Sequence, residues 1–123
     1  MPLSTLANAP SFDRAGFTFR SLAAPSRGSS ELAMWSVLIA PGTESELHSM
    51  DREEILVVMS GAISATVGGE EVRAQPGDVV IVPAGALLQI RNERDQAATV
   101  TAVTSVGMTA TVGGATFVPP WAQ

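Results

Sequence analysis

Gly42-Thr43-Glu44-Ser45-Glu46-Leu47-His48-Ser49-Met50-Asp51-Arg52-Glu53-Glu54-Ile55-Leu56-Val57-Val58-Met59-Ser60-Gly61 and Gly77-Asp78-Val79-Val80-Ile81-Val82-Pro83-Ala84-Gly85-Ala86-Leu87-Leu88-Gln89-Ile90-Arg91-Asn92 are the two stretches on which the fold turns. Each contains a run that is apolar at every position, Ile55–Met59 and Val79–Val82, between Gly and Pro breaks. Such runs read as strands covered on both faces, and in so short a chain the second cover is expected to be another subunit. His48 and Met50 lie two apart and so share one side of a strand; Leu88 and Ile90 repeat that parity on another.

Working outward, the punctuation stays regular: Pro41-Gly42, Ser60-Gly61, Gly68-Gly69, Pro76-Gly77, Pro83-Ala84-Gly85, Asn92–Asp95 and Gly113-Gly114. Breaks about every 8 to 12 residues between β-branched runs are the pattern of short antiparallel strands in a sandwich or barrel. Ile63–Val67 and Ala98–Ala102 alternate with period two, and no Gly- and Pro-free window shows a helical period. The chain is therefore expected to be all-β. Ala-Thr-Val-Gly-Gly occurs at 65–69 and again at 110–114, which reads as two hairpins using the same permissive turn rather than as an internal duplication.

The spacing of the two stretches resembles the cupin superfamily, whose motifs run G-x5-H-x-H-x3-E-x6-G and G-x5-P-x-G-x2-H-x3-N. Here Gly42, His48, Glu54 and Gly61 match the first, and Gly77, Pro83, Gly85 and Asn92 the second. The resemblance implies one antiparallel jelly-roll barrel, with a metal held inside by three histidines and a glutamate. On this chain those positions are His48, Met50, Glu54 and Leu88. Leucine cannot coordinate, and a methionine thioether suits copper(I) rather than harder divalent metals, so the site is expected to be degenerate. No cofactor is expected. A divalent metal stays open only through His48, Glu54 and a third ligand, for which Glu46, two before His48, is the candidate; Glu44 and Glu46 otherwise read as a solvated loop edge.

Without a metal, an imidazole and a carboxylate in an apolar barrel are placed for acid–base work, with His48 as base or acid and Glu54 orienting it. Met50, Leu88, Leu56, Val58, Ile90 and Trp35 are expected to line the pocket; the parity of Trp35, Met34 and Met108 is unresolved. Arg52, in the turn before Glu54, is the candidate for meeting an anionic substrate group at the mouth. Asn92 reads as a structural turn amide. Three functional readings stay open: a small-molecule-binding, metal-independent isomerase or cyclase; a non-catalytic sensor or binding module; and a metal-dependent dioxygenase- or cyclase-like protein with a reduced ligand set.

Length and composition agree with one domain. The 123 residues suffice for a single core. Residues 1–31 read as an N-terminal arm with one strand at about 16 to 21, 32–106 as the core, and 107–123 as an uncharged segment packing, through Trp121, on the barrel or a partner. Seven Arg and no Lys against twelve acidic residues, net −5, exclude a phosphate-backbone binder. With no Cys and one His, thiol nucleophiles, Cys-based zinc sites and three-histidine centres are excluded by count. The start of the chain has no basic and apolar secretory pattern and no stretch reads as a membrane span, so a cytoplasmic homodimer binding a small molecule is the default expectation.

Overall fold

The computed structural model describes residues 2–123. Its strands, in chain order, are β1 (Ser11–Arg14), β2 (Phe17–Ala23), β3 (Leu32–Ile39), β4 (His48–Met50), β5 (Glu54–Ser60), β6 (Ile63–Val67), β7 (Glu70–Ala74), β8 (Val79–Val82), β9 (Leu88–Arg91), β10 (Ala98–Ser105), β11 (Ala110–Val112) and β12 (Ala115–Phe117). Three single 3₁₀ turns, at Leu6–Asn8, Pro25–Arg27 and Pro120–Ala122, are the helical content among the described residues. None is long and apolar enough to cross a membrane.

Two six-stranded antiparallel sheets form the jelly roll: β1-β2-β3-β10-β5-β8 and β12-β11-β4-β9-β6-β7. They face one another without a shared ladder, so the expected barrel is an open sandwich. Alternation sets the inner faces. β10 reads buried and half-buried in strict turn over Ala98–Ser105, as a strand with one face in the core must. The N-terminal arm supplies two strands where one was expected, because Phe12 and Phe19 pair across a hairpin closed by Ala15-Gly16.

Turn chemistry explains three of the hairpins. Gly68-Gly69 and Gly113-Gly114 join β6 to β7 and β11 to β12 through two-residue loops with both φ positive, as primed turns require, so the repeated pentapeptide is one turn used twice. Ala15-Gly16 makes the same turn with Ala15 at φ 48°. At Gly61, φ is 72° and a Cβ would come within 2.7 Å of the Ala97 carbonyl oxygen, so only glycine fits.

The core divides along its length. One half is filled by aliphatic side chains, among them Val58, Ile63, Val80, Val82 and Leu88. The other half holds Phe17, Trp35, Met50 and Met108 and is not filled. Asn92 anchors the turn beside β3: its buried amide donates to the Ile39 and Gln96 carbonyls at 3.1 and 2.8 Å and accepts from the Arg94 N–H at 3.0 Å.

Candidate functional site

The unfilled half is a cavity of about 130 Å³ between the sheets. Sheet one contributes Phe17 and Phe19 from β2, Trp35 from β3, Glu54 and Leu56 from β5 and Val100 from β10; sheet two contributes His48 and Met50 from β4 and Ile90 from β9. His48 and Glu54, six apart in sequence, come from opposite sheets because the chain crosses the sandwich between β4 and β5. Met108 enters on the loop before β11, and Phe117 and Trp121 close over from the C-terminal segment.

Of the pocket residues expected from sequence, Met50, Leu56, Ile90 and Trp35 line this cavity together with His48 and Glu54. Leu88 and Val58 do not. Leu88 stands opposite His48 in the β4–β9 register but is wholly buried in the packed half, and Val58, one inward position further along β5 than Leu56, is enclosed there too. Met34 faces outward next to Trp35.

Arg52 is also corrected: it is exposed, and its guanidinium donates to Ser105 Oγ and the Val106 carbonyl at 3.1 and 3.0 Å, away from the cavity. Its neighbour Asp51 accepts from the Thr109 N–H at 2.7 Å. That bond holds the Asp51 carboxyl below its ordinary range. The two side chains clamp the loop that carries Met108 into the pocket.

Sequence reasoning missed the mouth. Arg14, at the end of β1, pairs with Glu46 at 2.7 Å, and its guanidinium carbon lies 5.8 Å from the Phe117 ring centre. Phe17 and Phe19 were legible only as one strand face. Of the four Phe and two Trp in the chain, every one but Phe12 lines this cavity.

His48 is oriented by the backbone rather than by Glu54. Its Nδ1 lies 2.8 Å from the Glu46 carbonyl oxygen, which can only accept, so Nδ1 carries the proton and in the neutral ring Nε2 keeps its lone pair. Among the described residues the Glu54 side chain makes no hydrogen bond and has no charged partner, and burial pushes its carboxyl up to about 8. The cavity thus holds a carboxyl that burial keeps protonated and able to donate and, in the neutral tautomer of His48, a ring nitrogen able to accept.

The donor set does not fit the mononuclear metal centre that the motif positions imply. Leu88 has no donor atom and is outside the cavity, Met50 offers only a thioether, and the Glu46 carboxylate is turned to Arg14. Among the described residues, no three His, Asp or Glu side chains come together in metal-binding geometry.

The family described as Cupin domain matches residues 35–104. No curated protein matches the chain. Among solved structures, it is similar to the polyketide cyclase RemF from Streptomyces resistomycificus at 15% identity, with a TM-score of 0.79 over 98% of this chain and 88% of that one. A sugar phosphate isomerase of the cupin superfamily from Silicibacter pomeroyi matches at 24% identity, TM-score 0.75, over 93% and 83%. The salicylate 1,2-dioxygenase from Pseudoaminobacter salicylatoxidans matches at 17% identity, TM-score 0.73, over 86% of this chain and 34% of that one. At these identities the likeness is one of fold.

Proposed function

The chain belongs to the cupin domain family, and from that premise we propose that it binds a small molecule in the aromatic half of its sandwich and promotes a metal-independent proton transfer there, as in an isomerisation or cyclisation. The observation that carries this reading is the pair of complementary proton-transfer groups on one apolar cavity: His48 Nε2 as base and the neutral Glu54 carboxyl as acid. His48 would take a proton from carbon while Glu54 gives one to the carbonyl oxygen of the same molecule, so the substrate passes to its enol without net charge. The reverse transfers at another carbon complete an isomerisation. The structural neighbours include a cyclase and an isomerase, which agrees with this chemistry.

Deuterium wash-in tests it. A panel of small ketones in heavy water is expected to exchange α-hydrogens faster with the protein than in buffer, and His48→Ala to lose that acceleration while the fold is kept. Binding of the panel without exchange would favour the alternative of a non-catalytic sensor. Restoration of exchange only by an added divalent metal would favour the metal-dependent reading.

We further propose a homodimer through the outer face of the β1-to-β8 sheet. Met59, Val79 and Ile81 are 58%, 48% and 61% exposed there, beside half-buried Ile55 and Val57. Ile55 with Ile81, and Val57 with Val79, lie in two rows, Val103–Ile55–Ile81 and Thr101–Val57–Val79, that carry no charge. An uncharged patch on an open edge strand is self-complementary under a two-fold axis.

A further inference from the structure

We infer that the cavity is built for a flat aromatic ring carrying a carbonyl-type acceptor, the ring lying among Phe17, Phe19, Trp35 and Trp121 and the acceptor meeting the Glu54 carboxyl. This rests on the small-molecule reading above and names the class of molecule.

Three observations carry it. First, the aromatic side chains are segregated. Five of the six in the chain line this one cavity, while the packed half of the core is filled by aliphatic residues alone. A core that merely needed volume would not sort its rings to the unfilled end. Second, the rings already form a stacking series. Phe17 and Phe19 lie 6.2 Å apart at 17°, and Phe19 and Trp121 lie 3.7 Å apart at 3°. Phe19 and Trp121 cover each other's faces, so a ligand ring would extend this near-parallel series from its ends rather than enter between its members. Third, the Glu54 side chain is buried, has no partner among the described residues and lies among Trp35, Leu56, Val100 and Met108 in a mainly apolar lining whose other polar groups are His48 and the Arg14, Glu44, Ser45 and Glu46 rim. A buried carboxyl without a hydrogen bond is costly, and an acceptor on the ligand would satisfy it.

Size sets the scale. The cavity's 130 Å³ is close to the roughly 150 Å³ apolar cavity known to hold benzene. One ring fits inside, with substituents reaching the mouth at Arg14 and Glu46.

The test is a nitrogen-15 NMR titration at pH 7 that follows the indole N–H signals of Trp35 and Trp121, with three probes of similar size. Acetophenone has ring and acceptor, ethylbenzene only the ring, and cyclohexyl methyl ketone only the acceptor. Acetophenone is expected to bind about tenfold more tightly than either of the others. Phe19→Leu is expected to weaken acetophenone several-fold and leave cyclohexyl methyl ketone unchanged. Equal affinity for the two ketones, or equal loss of both in Phe19→Leu, would overturn the aromatic assignment while leaving the proton-transfer reading to its own wash-in test. Equal affinity for acetophenone and ethylbenzene would overturn the acceptor assignment. If no probe moves either indole, the cavity is not a binding site and both proposals fall.

Discussion

The Nδ1 of His48 and the backbone carbonyl of Glu46, 2.8 Å apart, fix which nitrogen of the chain's one imidazole carries the proton in the neutral ring and leave Nε2 as the acceptor. The same Glu46 uses its side chain differently, pairing with Arg14 at 2.7 Å across the cavity mouth. Main chain and side chain of one residue therefore serve the two ends of the site.

That division predicts the behaviour of Glu46→Ala. The carbonyl survives the substitution, so the His48 tautomer and the deuterium wash-in rate should stay within about twofold of the parent protein. The lost ion pair is half exposed on both sides and should cost less than about 1 kcal/mol in denaturant unfolding. A loss of wash-in activity by orders of magnitude would instead make the carboxylate a functional ligand.

Ala15 occupies a left-handed backbone position that the chain's two equivalent hairpins give to glycine. Asparagine tolerates this conformation and forms the preferred Asn-Gly turn, whereas alanine is strained there. Ala15→Asn should stabilise the fold by about 1 kcal/mol, raising Tm by about 4 °C, as calorimetry would show. Ala15→Val should lower it.

The outer apolar face predicts that Ile81→Asp shifts the protein from dimer to monomer in sedimentation equilibrium at micromolar concentration, with the monomer still folded. A monomeric parent protein would remove the dimer proposal.

Burial of Glu54 makes stability depend on pH with a definite sign. Its folded pKa, about 8, lies above the ordinary 4.5, so between those limits the folded state holds a proton that the unfolded chain releases. Stability should therefore be fully present below about 4.5, fall as pH rises towards 8 and level off above. The slope is at most about 1.4 kcal/mol per pH unit. Glu54→Gln, which keeps the shape but cannot ionise, should abolish this dependence and be the more stable protein at pH 9.

Much of the site was legible in the sequence because strand parity is strict. Spacing two placed His48 with Met50, and Leu88 with Ile90, on one strand face each, the resemblance to cupins turned His48, Met50 and Glu54 inward, and the glycine and proline pattern located the turns between them. Parity, however, says which face a residue takes and not how far along the sandwich it falls. Leu88 and Val58 are inward but lie where the core is packed, and that depends on the volumes of side chains from both sheets. Arg52 was misjudged because its partners, Ser105 and Val106, lie more than fifty positions away. Arg14 came into view only once β1 folded its hairpin over the mouth. The expected orienting of His48 by Glu54 is replaced by a backbone contact, because the two residues belong to opposite sheets and the Glu46 carbonyl takes Nδ1.

The measurement that bears most directly on the proton-transfer account is a carbon-13 NMR titration of the Glu54 side-chain carboxyl, assigned with Glu54→Gln and read alongside the His48 ring nitrogens. The account predicts a Glu54 midpoint near pH 8 and, for neutral His48, a protonated Nδ1 with a bare Nε2. A midpoint near 4.5, or a neutral ring protonated at Nε2, would leave the cavity without its acid or its base and would contradict the account.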